Sequence, residues 1–246
     1  PKSFQDFGEI MYISMCGTGV GWSVESENIQ ALPQIKKQLG KSLQNYVIPD
    51  SKEGWADAFV FGLKAWFEGK DVSFDYSLIR PAGSILKTMG GKSSGPAPLR
   101  SLIDFSREKI LSKQGRHLSN LDAHDIICKI GECVVAGGVR RSAMISLSDL
   151  DDESIRDSKK GQFYNNEPQR MIANNSAVYN SKPDTSQFLD EWTALVKSGS
   201  GERGIFNRGG LVKTLPKRRL SQFISGEFPA WGTNPCGEII LQSKQF

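Results

Sequence analysis

Hydrophobic residues recur at helical spacing in five stretches of the chain. Phe7, Ile10, Met11 and Met15 share one face of a helix predicted over residues 4–16. Asp50-Ser51-Lys52-Glu53 resembles a capping box, with Asp50 expected to accept from the first turn and Glu53 to reach back. The helix it opens runs to about Glu68 and stops at Gly69, with Trp55, Phe59, Val60, Leu63, Trp66 and Phe67 on a stripe that suits a core face. A third helix is predicted over Pro98–Ser112, carrying Leu99, Leu102, Ile103, Phe105 and Ile110. A fourth follows from Ser119, with Asp122 in its first turn and Ile126, Ile127, Ile130, Cys133 and Val134 facing inward. The fifth, Ser186–Lys197, carries Leu189, Trp192, Leu195 and Val196.

Between these helices the pattern shortens to a period of two. Trp22–Glu25, Val72–Ile79, Met144–Leu147, the run ending at Val178 and a short run through Gly204-Ile205-Phe206-Asn207 read as strands. Residues 26–48, residues 148–166 and the basic stretch Lys213–Arg219 read as irregular or surface. Helices alternating with short strands, without an internal repeat, indicate an α/β protein.

The most informative stretch is Thr233-Asn234-Pro235-Cys236-Gly237-Glu238-Ile239-Ile240. If it is extended, Asn234, Cys236 and Glu238 share a face, because side chains alternate across a strand. An amide, a thiol and a carboxylate together offer a polar donor, a nucleophilic or one-electron centre, and a base. Pro235 lacks a backbone donor and Gly237 permits close approach, which suits a tip inserted somewhere crowded. A buried structural cysteine in an edge strand is the simpler alternative; the polar neighbours on both sides favour chemistry.

Three other glycine-rich stretches invite nucleotide readings. Gly17-Thr18-Gly19-Val20-Gly21 lies between a helix and a strand, the reverse of the dinucleotide-binding order, so it reads as a tight turn with close backbone packing. Gly91-Lys92-Ser93 mimics the end of a P-loop, but Leu86 stands where the first glycine is required. The loop through Ser93, Ser94 and Gly95, leading into a helix with Pro96 near its start, remains a candidate substrate or phosphate loop, or an ordinary capped loop. Gly137, Gly138, Val139, Arg140, Arg141 and Ser142 join a helix to a strand. Two glycines and two arginines there suit a loop closing over an anionic or planar ligand, or else a solvated basic loop.

Composition bounds these readings. At 246 residues the chain can form one large or two modest domains. The net charge of +4 suits small anions but is too weak and scattered for a nucleic-acid groove. No apolar run approaches the roughly 18 residues of a membrane span. Cys16, Cys128, Cys133 and Cys236 form no CxxC pair, so neither a zinc site nor a disulfide framework is expected and a reducing cytoplasm is the default. His124 and Cys128 share a helix face, but no third metal ligand accompanies them. Both ends look abrupt, as in a piece of a longer protein.

Taken in order, the motifs resemble those of the catalytic chain of ribonucleotide reductases, most closely the adenosylcobalamin-dependent class II enzymes of the monomeric, ribonucleoside-triphosphate type. They are Gly19-Val20-Gly21-Trp22, Asp50–Trp55, Ile79–Ser84, Gly90–Pro96, Val135–Ala143, Ala173-Asn174-Asn175-Ser176, Gly204–Asn207 and Thr233–Ile239. The resemblance implies a ten-stranded α/β barrel with the cysteine loop at its centre, residues 1–246 being an N-terminal portion incomplete at both ends. Cys236 would carry the thiyl radical, Glu238 would accept the 3′-OH proton, and Asn234 would position the ribose hydroxyls. Gly137–Ala143 would link the substrate base to a deoxynucleoside triphosphate effector. An insertion over 46–80, with Asp50, Lys52 and Glu53 as candidate contacts, would take an effector-site role.

The resemblance further implies adenosylcobalamin as cofactor, bound mostly by the rest of the enzyme, and an external dithiol reductant such as thioredoxin. No membrane and no direct nucleic-acid partner are implied. The family's redox cysteine pair is a departure: Cys16, Cys128 and Cys133 match neither member, which would lie before Pro1 and just beyond Phe246. This piece alone is therefore not expected to turn over. The alternatives are a class I large-subunit fragment with a second radical-bearing subunit, and a nucleotide-binding relic without chemistry. The insertion and Arg140-Arg141-Ser142 favour the cobalamin class over the first. Retention of Asn234, Cys236 and Glu238 argues against the second.

Overall fold

The computed structural model describes residues 1–39, 43–86, 90–136, 143–225 and 231–242. Its centre is a parallel four-stranded sheet of order β1-β4-β5-β6, built from β1 (Val20–Ser23), β4 (Met144–Asp149), β5 (Ala173–Val178) and β6 (Gly204–Phe206). Pairing runs Val20 to Met144, Met144 to Ala173 and Ser176 to Gly204. The first five residues of β4 are all buried, as expected for a parallel strand covered on both faces.

Helices pack on the outer face: α1 (Phe4–Met15), α3 (Lys52–Phe67), α4 (Ala97–Leu111) and α5 (Asn120–Ala136). Their apolar stripes join Val20, Trp22, Met144 and Ala173 in one large core. Ile145, Leu147, Val178 and Phe206 point the other way and form a smaller core with Leu211 and Trp231. Period-two alternation thus gives the sheet two distinct apolar faces.

The four outer helices lie within a residue or two of their predicted bounds, but the cap of α3 does not. Ser51, not Asp50, is the N-cap: its side chain accepts from the Gly54 N–H at 2.9 Å. Asp50 is instead drawn to Arg80, with an Nε–Oδ2 separation of 2.6 Å. Residues 26–48, expected to be irregular, contain a short helix α2 (Ser26–Ile29) and a strand β2 (Leu43–Val47). β2 pairs in parallel with β3 (Asp71–Asp75), and α3 is the crossover between them. β2 was illegible because its exposed and half-buried residues never produce an apolar face.

Two further departures lie near the end. The stretch over 148–166 holds short helices α6 (Glu153–Arg156) and α7 (Phe163–Asn166), and it is not all surface. Lys159 is buried, its ammonium 2.8 Å from Glu202. The basic stretch Lys213–Arg219 runs through α9 (Leu211–Thr214) into α10 (Lys217–Ser225). The predicted fifth helix is α8 (Thr185–Ser198), capped by Asp184 and ended by Gly199 at φ +67. Its one buried residue is Glu191, paired with buried Arg203, while Leu189, Trp192 and Val196 are exposed.

Candidate active site

The glycines of β1 prepare the ground for the cysteine stretch. Alternation places Gly19, Gly21, Ser23 and Glu25 on the inner side of the sheet, away from Val20 and Trp22. A Cβ at Gly21 would lie 1.9 Å from the Thr233 carbonyl oxygen, and one at Gly19 would lie 3.1 Å from the Pro235 ring. The Gly-x-Gly spacing therefore clears a lane along β1, and the cysteine stretch lies in it. The helix–glycine–strand order and the close backbone packing both agree with the sequence reading.

The stretch itself is a hairpin, not a continuous strand. β7 (Trp231–Thr233) pairs antiparallel with β8 (Ile240–Gln242), and residues 234–239 form the loop between them. The Gly237 N–H donates to the Asn234 carbonyl at 3.0 Å, closing a turn in which Gly237 adopts φ +81. Proline at the second turn position presets the bend, and a positive φ favours glycine. The expected extended arrangement of Asn234, Cys236 and Glu238 is thus replaced by a tight loop. The three lie within five residues of one another in the loop, and the common face expected from strand alternation does not apply to them.

Each candidate has a defined setting. The Asn234 side-chain oxygen accepts from the Ile239 N–H at 3.0 Å, which stiffens the loop and leaves the amide nitrogen as a donor. Cys236 is a free, exposed thiol at the tip, and Glu238 is exposed beside it. Cys128 and Cys133, by contrast, are buried on α5, and burial pushes the Cys133 thiol up to about 12. Thiolate chemistry is suppressed at Cys133, and the burial of both agrees with their reading as small core residues.

A cavity of about 500 Å³ runs between α1, β1 and the hairpin. Asp6, Glu9, Asn28 and Asn234 supply polar groups to its wall, and Ile10 and Ile13 apolar ones. A more open cleft of about 780 Å³ lies on the far side of Ser26. There the Asn120 amide is already committed to Ser26 and Asp152, at 2.9 and 2.8 Å.

The candidate effector and substrate segments are joined to each other. Asp50 binds Arg80; Ala82, two residues on, packs against Gly95, where a Cβ would lie 2.8 Å from the Ala82 nitrogen. The Ser93 carbonyl accepts from the Gly83 N–H at 2.8 Å, and the Ser93 hydroxyl accepts from the Gly95 N–H at 3.0 Å. Ser93 is thereby used to build the loop, while Ser94 is half-buried. Lys52 points its ammonium toward Cys16 at 3.9 Å, and Glu53 is exposed. The end of α1 and its glycine turn separate this cluster from the hairpin, touching Lys52 through Cys16 and Pro235 through Gly19. Gly137, Gly138, Val139, Arg140, Arg141 and Ser142 lie outside the described residues.

Sequence reading missed the groups that hold the hairpin. The Arg208 guanidinium grips the Glu25 carboxylate with two contacts of 2.8 Å and donates from Nε to the Trp231 carbonyl at 2.8 Å. Arg208 directly follows the Gly204–Asn207 motif, and Glu25 continues the inner-face alternation of Gly21 and Ser23. A charged residue ending such a series was the available signal. Among the described residues no group of three metal-ligating side chains occurs, and no helix is long and apolar enough to cross a membrane.

Comparison with known proteins gives a consistent picture. Residues 21–108 match the family described as B12-dependent ribonucleotide reductase, insertion domain. The adenosylcobalamin-dependent ribonucleoside-triphosphate reductase of Lacticaseibacillus paracasei is 31% identical over 285 residues, covering 100% of this chain and 36% of that protein. The enzyme of the same name from Euglena gracilis is 36% identical over 241 residues, covering 96% of this chain and 31% of its own length. A crystal structure of a B12-dependent (class II) ribonucleotide reductase superposes with a TM-score of 0.77 at 27% identity, over 96% of this chain and 36% of that one. The chain thus spans about a third of the length of these relatives.

Proposed function

This chain belongs to the adenosylcobalamin-dependent, class II ribonucleotide reductases over the third of their length that it spans, and from that premise we propose that its hairpin carries the reacting thiol of ribonucleotide reduction. The observation that supports this most is the setting of Cys236: an exposed thiol at the tip of a tight loop, between an amide and a carboxylate in the chain, on a hairpin whose Thr233 and Pro235 pack against Gly21 and Gly19 of β1. The four parallel strands form part of a larger barrel, and the segment over 46–80 forms the effector-site insertion.

Adenosylcobalamin, when bound, supplies the one-electron oxidation that converts the thiol to a thiyl radical. Cys236 is accessible, as a thiol that reacts beside the bound cofactor must be. Cys236 Sγ then takes the hydrogen from C3′ of the ribose, forming S–H as C–H breaks. Glu238 accepts the 3′-OH proton, and the 2′-OH departs as water with a proton given by a thiol of the reducing dithiol, whose second hydrogen ends on C2′. The Asn234 amide nitrogen donates to a ribose hydroxyl and holds the ring in register. Two electrons come from a dithiol, which becomes a disulfide, and Cys236 returns the hydrogen to C3′. Ribonucleoside triphosphates are the substrates, thioredoxin-type dithiols the external reductants and deoxynucleoside triphosphates the effectors. Asp50, Lys52 and Glu53 act on the effector side, and Ser93, Ser94 and Gly95 on the substrate side.

The test is reduction of ribonucleoside triphosphates by the full-length enzyme with a dithiol, with and without adenosylcobalamin. Deoxynucleotide formed only when the cofactor is present is expected. Turnover without it, or turnover that needs a separate radical-bearing subunit, would exclude this reading.

A further inference from the structure

The carboxyl ends of three parallel strands meet under the base of the hairpin. Glu25 lies just beyond β1, Asn180 beyond β5 and Arg208 beyond β6. Glu25 is 6% exposed and Arg208 only 2%. Both terminal nitrogens of the guanidinium donate to Glu25, Nη1 also reaches Asn180 Oδ1 at 3.3 Å, and Nε donates to the Trp231 carbonyl. Ser23 Oγ donates to Glu25 Oε2 at 2.8 Å, so the carboxylate is itself oriented.

A buried ion pair is weak evidence for stability, because desolvation offsets most of the attraction. What this one provides is direction. A guanidinium held end-on through both terminal nitrogens aims its Nε–H along one line, which a lysine ammonium cannot do. That line ends at the first residue of the hairpin, whose indole is buried at 1%. The returning strand has its own anchor: Arg219 Nη2 donates to the Ile240 carbonyl at 3.0 Å. Pro235 and the hydrogen bonds from Gly237 and Ile239 to Asn234 restrict the loop between these anchors, so its position follows from where the strands are held.

We propose that Arg208, oriented by Glu25, is a positioning residue that sets the register of the Cys236 hairpin on the sheet. The proposal deepens the reading of Cys236 as the reacting thiol and rests on it for its catalytic consequence. The buried pair of Arg203 and Glu191 provides a comparison: it is similar in chemistry but ties α8 to the end of β4 and the carbonyls of Asp149 and Leu150.

In the full-length enzyme, Arg208→Lys is expected to lower kcat at least tenfold with KM changed less than twofold. Amide hydrogen exchange over 231–242 should speed up at least tenfold while exchange in α5 stays constant. Arg203→Lys should leave hairpin exchange within twofold of the wild type. Should Arg208→Lys fail to fold, Glu25→Gln, which keeps the shape and one acceptor, must show the same pattern at smaller amplitude. Unchanged kcat and hairpin exchange would overturn the proposal, as would exchange rising equally in the hairpin and α5. If the wild-type enzyme reduces no ribonucleotide, the functional reading fails, while hairpin exchange still decides whether Arg208 sets the register.

Discussion

Gly21→Ala should displace the hairpin without touching a reacting group. The new methyl carbon would sit 1.9 Å from the Thr233 carbonyl oxygen, whereas ordinary contact begins near 3.4 Å. The obstacle is backbone, so relief requires the hairpin to retreat by about 1.5 Å, the difference between those two separations. Overpacking of this kind costs about 1–3 kcal/mol. If that cost falls on local opening, exchange in the hairpin rises about five- to 150-fold. Displacing a reacting atom by about 1 Å can lower turnover on the order of 100-fold. Gly232→Ala is the control: it lies on the same hairpin, and its methyl would meet only Leu147 Cδ1 at 3.4 Å. Turnover and hydrogen exchange of both variants in the full-length enzyme provide the assay. Gly21→Ala behaving like Gly232→Ala in both measurements would refute the claim that the glycine lane seats the hairpin.

Ser51→Ala should destabilise α3 by about 1 kcal/mol through loss of its cap, whereas Asp50→Ala, which breaks a partly exposed ion pair, should cost roughly 0–1 kcal/mol; denaturant midpoints rank the two. Asp125 is 1% exposed, and although burial alone would raise its pKa, hydrogen bonds from Arg170, His124 and Lys109 hold it well below the usual carboxylate range. A depressed carboxylate contributes stability that is present above its unfolded pKa and lost as pH falls through the folded one. Asp125→Ala should therefore cost about 3–5 kcal/mol at neutral pH, with the difference from wild type shrinking below about pH 4, as read from unfolding curves across pH.

Much of the fold was legible because the outer helices bury their stripes in one core. Phe59, Leu63 and Trp66 on α3, and Ile126 and Ile130 on α5, are all buried where their spacing put them. β2 was not legible, since its Leu43 and Val47 are exposed and its partner strand lies beyond an intervening helix. α8 misleads in the opposite sense: its apolar stripe faces out, and it is held by the Glu191–Arg203 pair, which no periodicity can signal. At the candidate site, residue types and order singled out Asn234, Cys236 and Glu238 as candidates, and the extended geometry expected for them is replaced by a hairpin loop. Proline and glycine two residues apart favour a turn, and the hydrogen bond from Gly237 to Asn234 closes one. Asp50 was assigned to the wrong task for a similar reason. Two adjacent residues could each cap α3, and only the position of Arg80 decides between them.

Turnover by Cys236→Ser in the full-length enzyme tests the central claim most directly. The substitution replaces one exposed atom, and its hydroxyl holds hydrogen too strongly to serve as a thiyl equivalent. Deoxynucleotide formation should fall below detection, while the thermal midpoint and deoxynucleoside triphosphate affinity stay at wild-type values. Turnover within tenfold of the wild type would contradict the account.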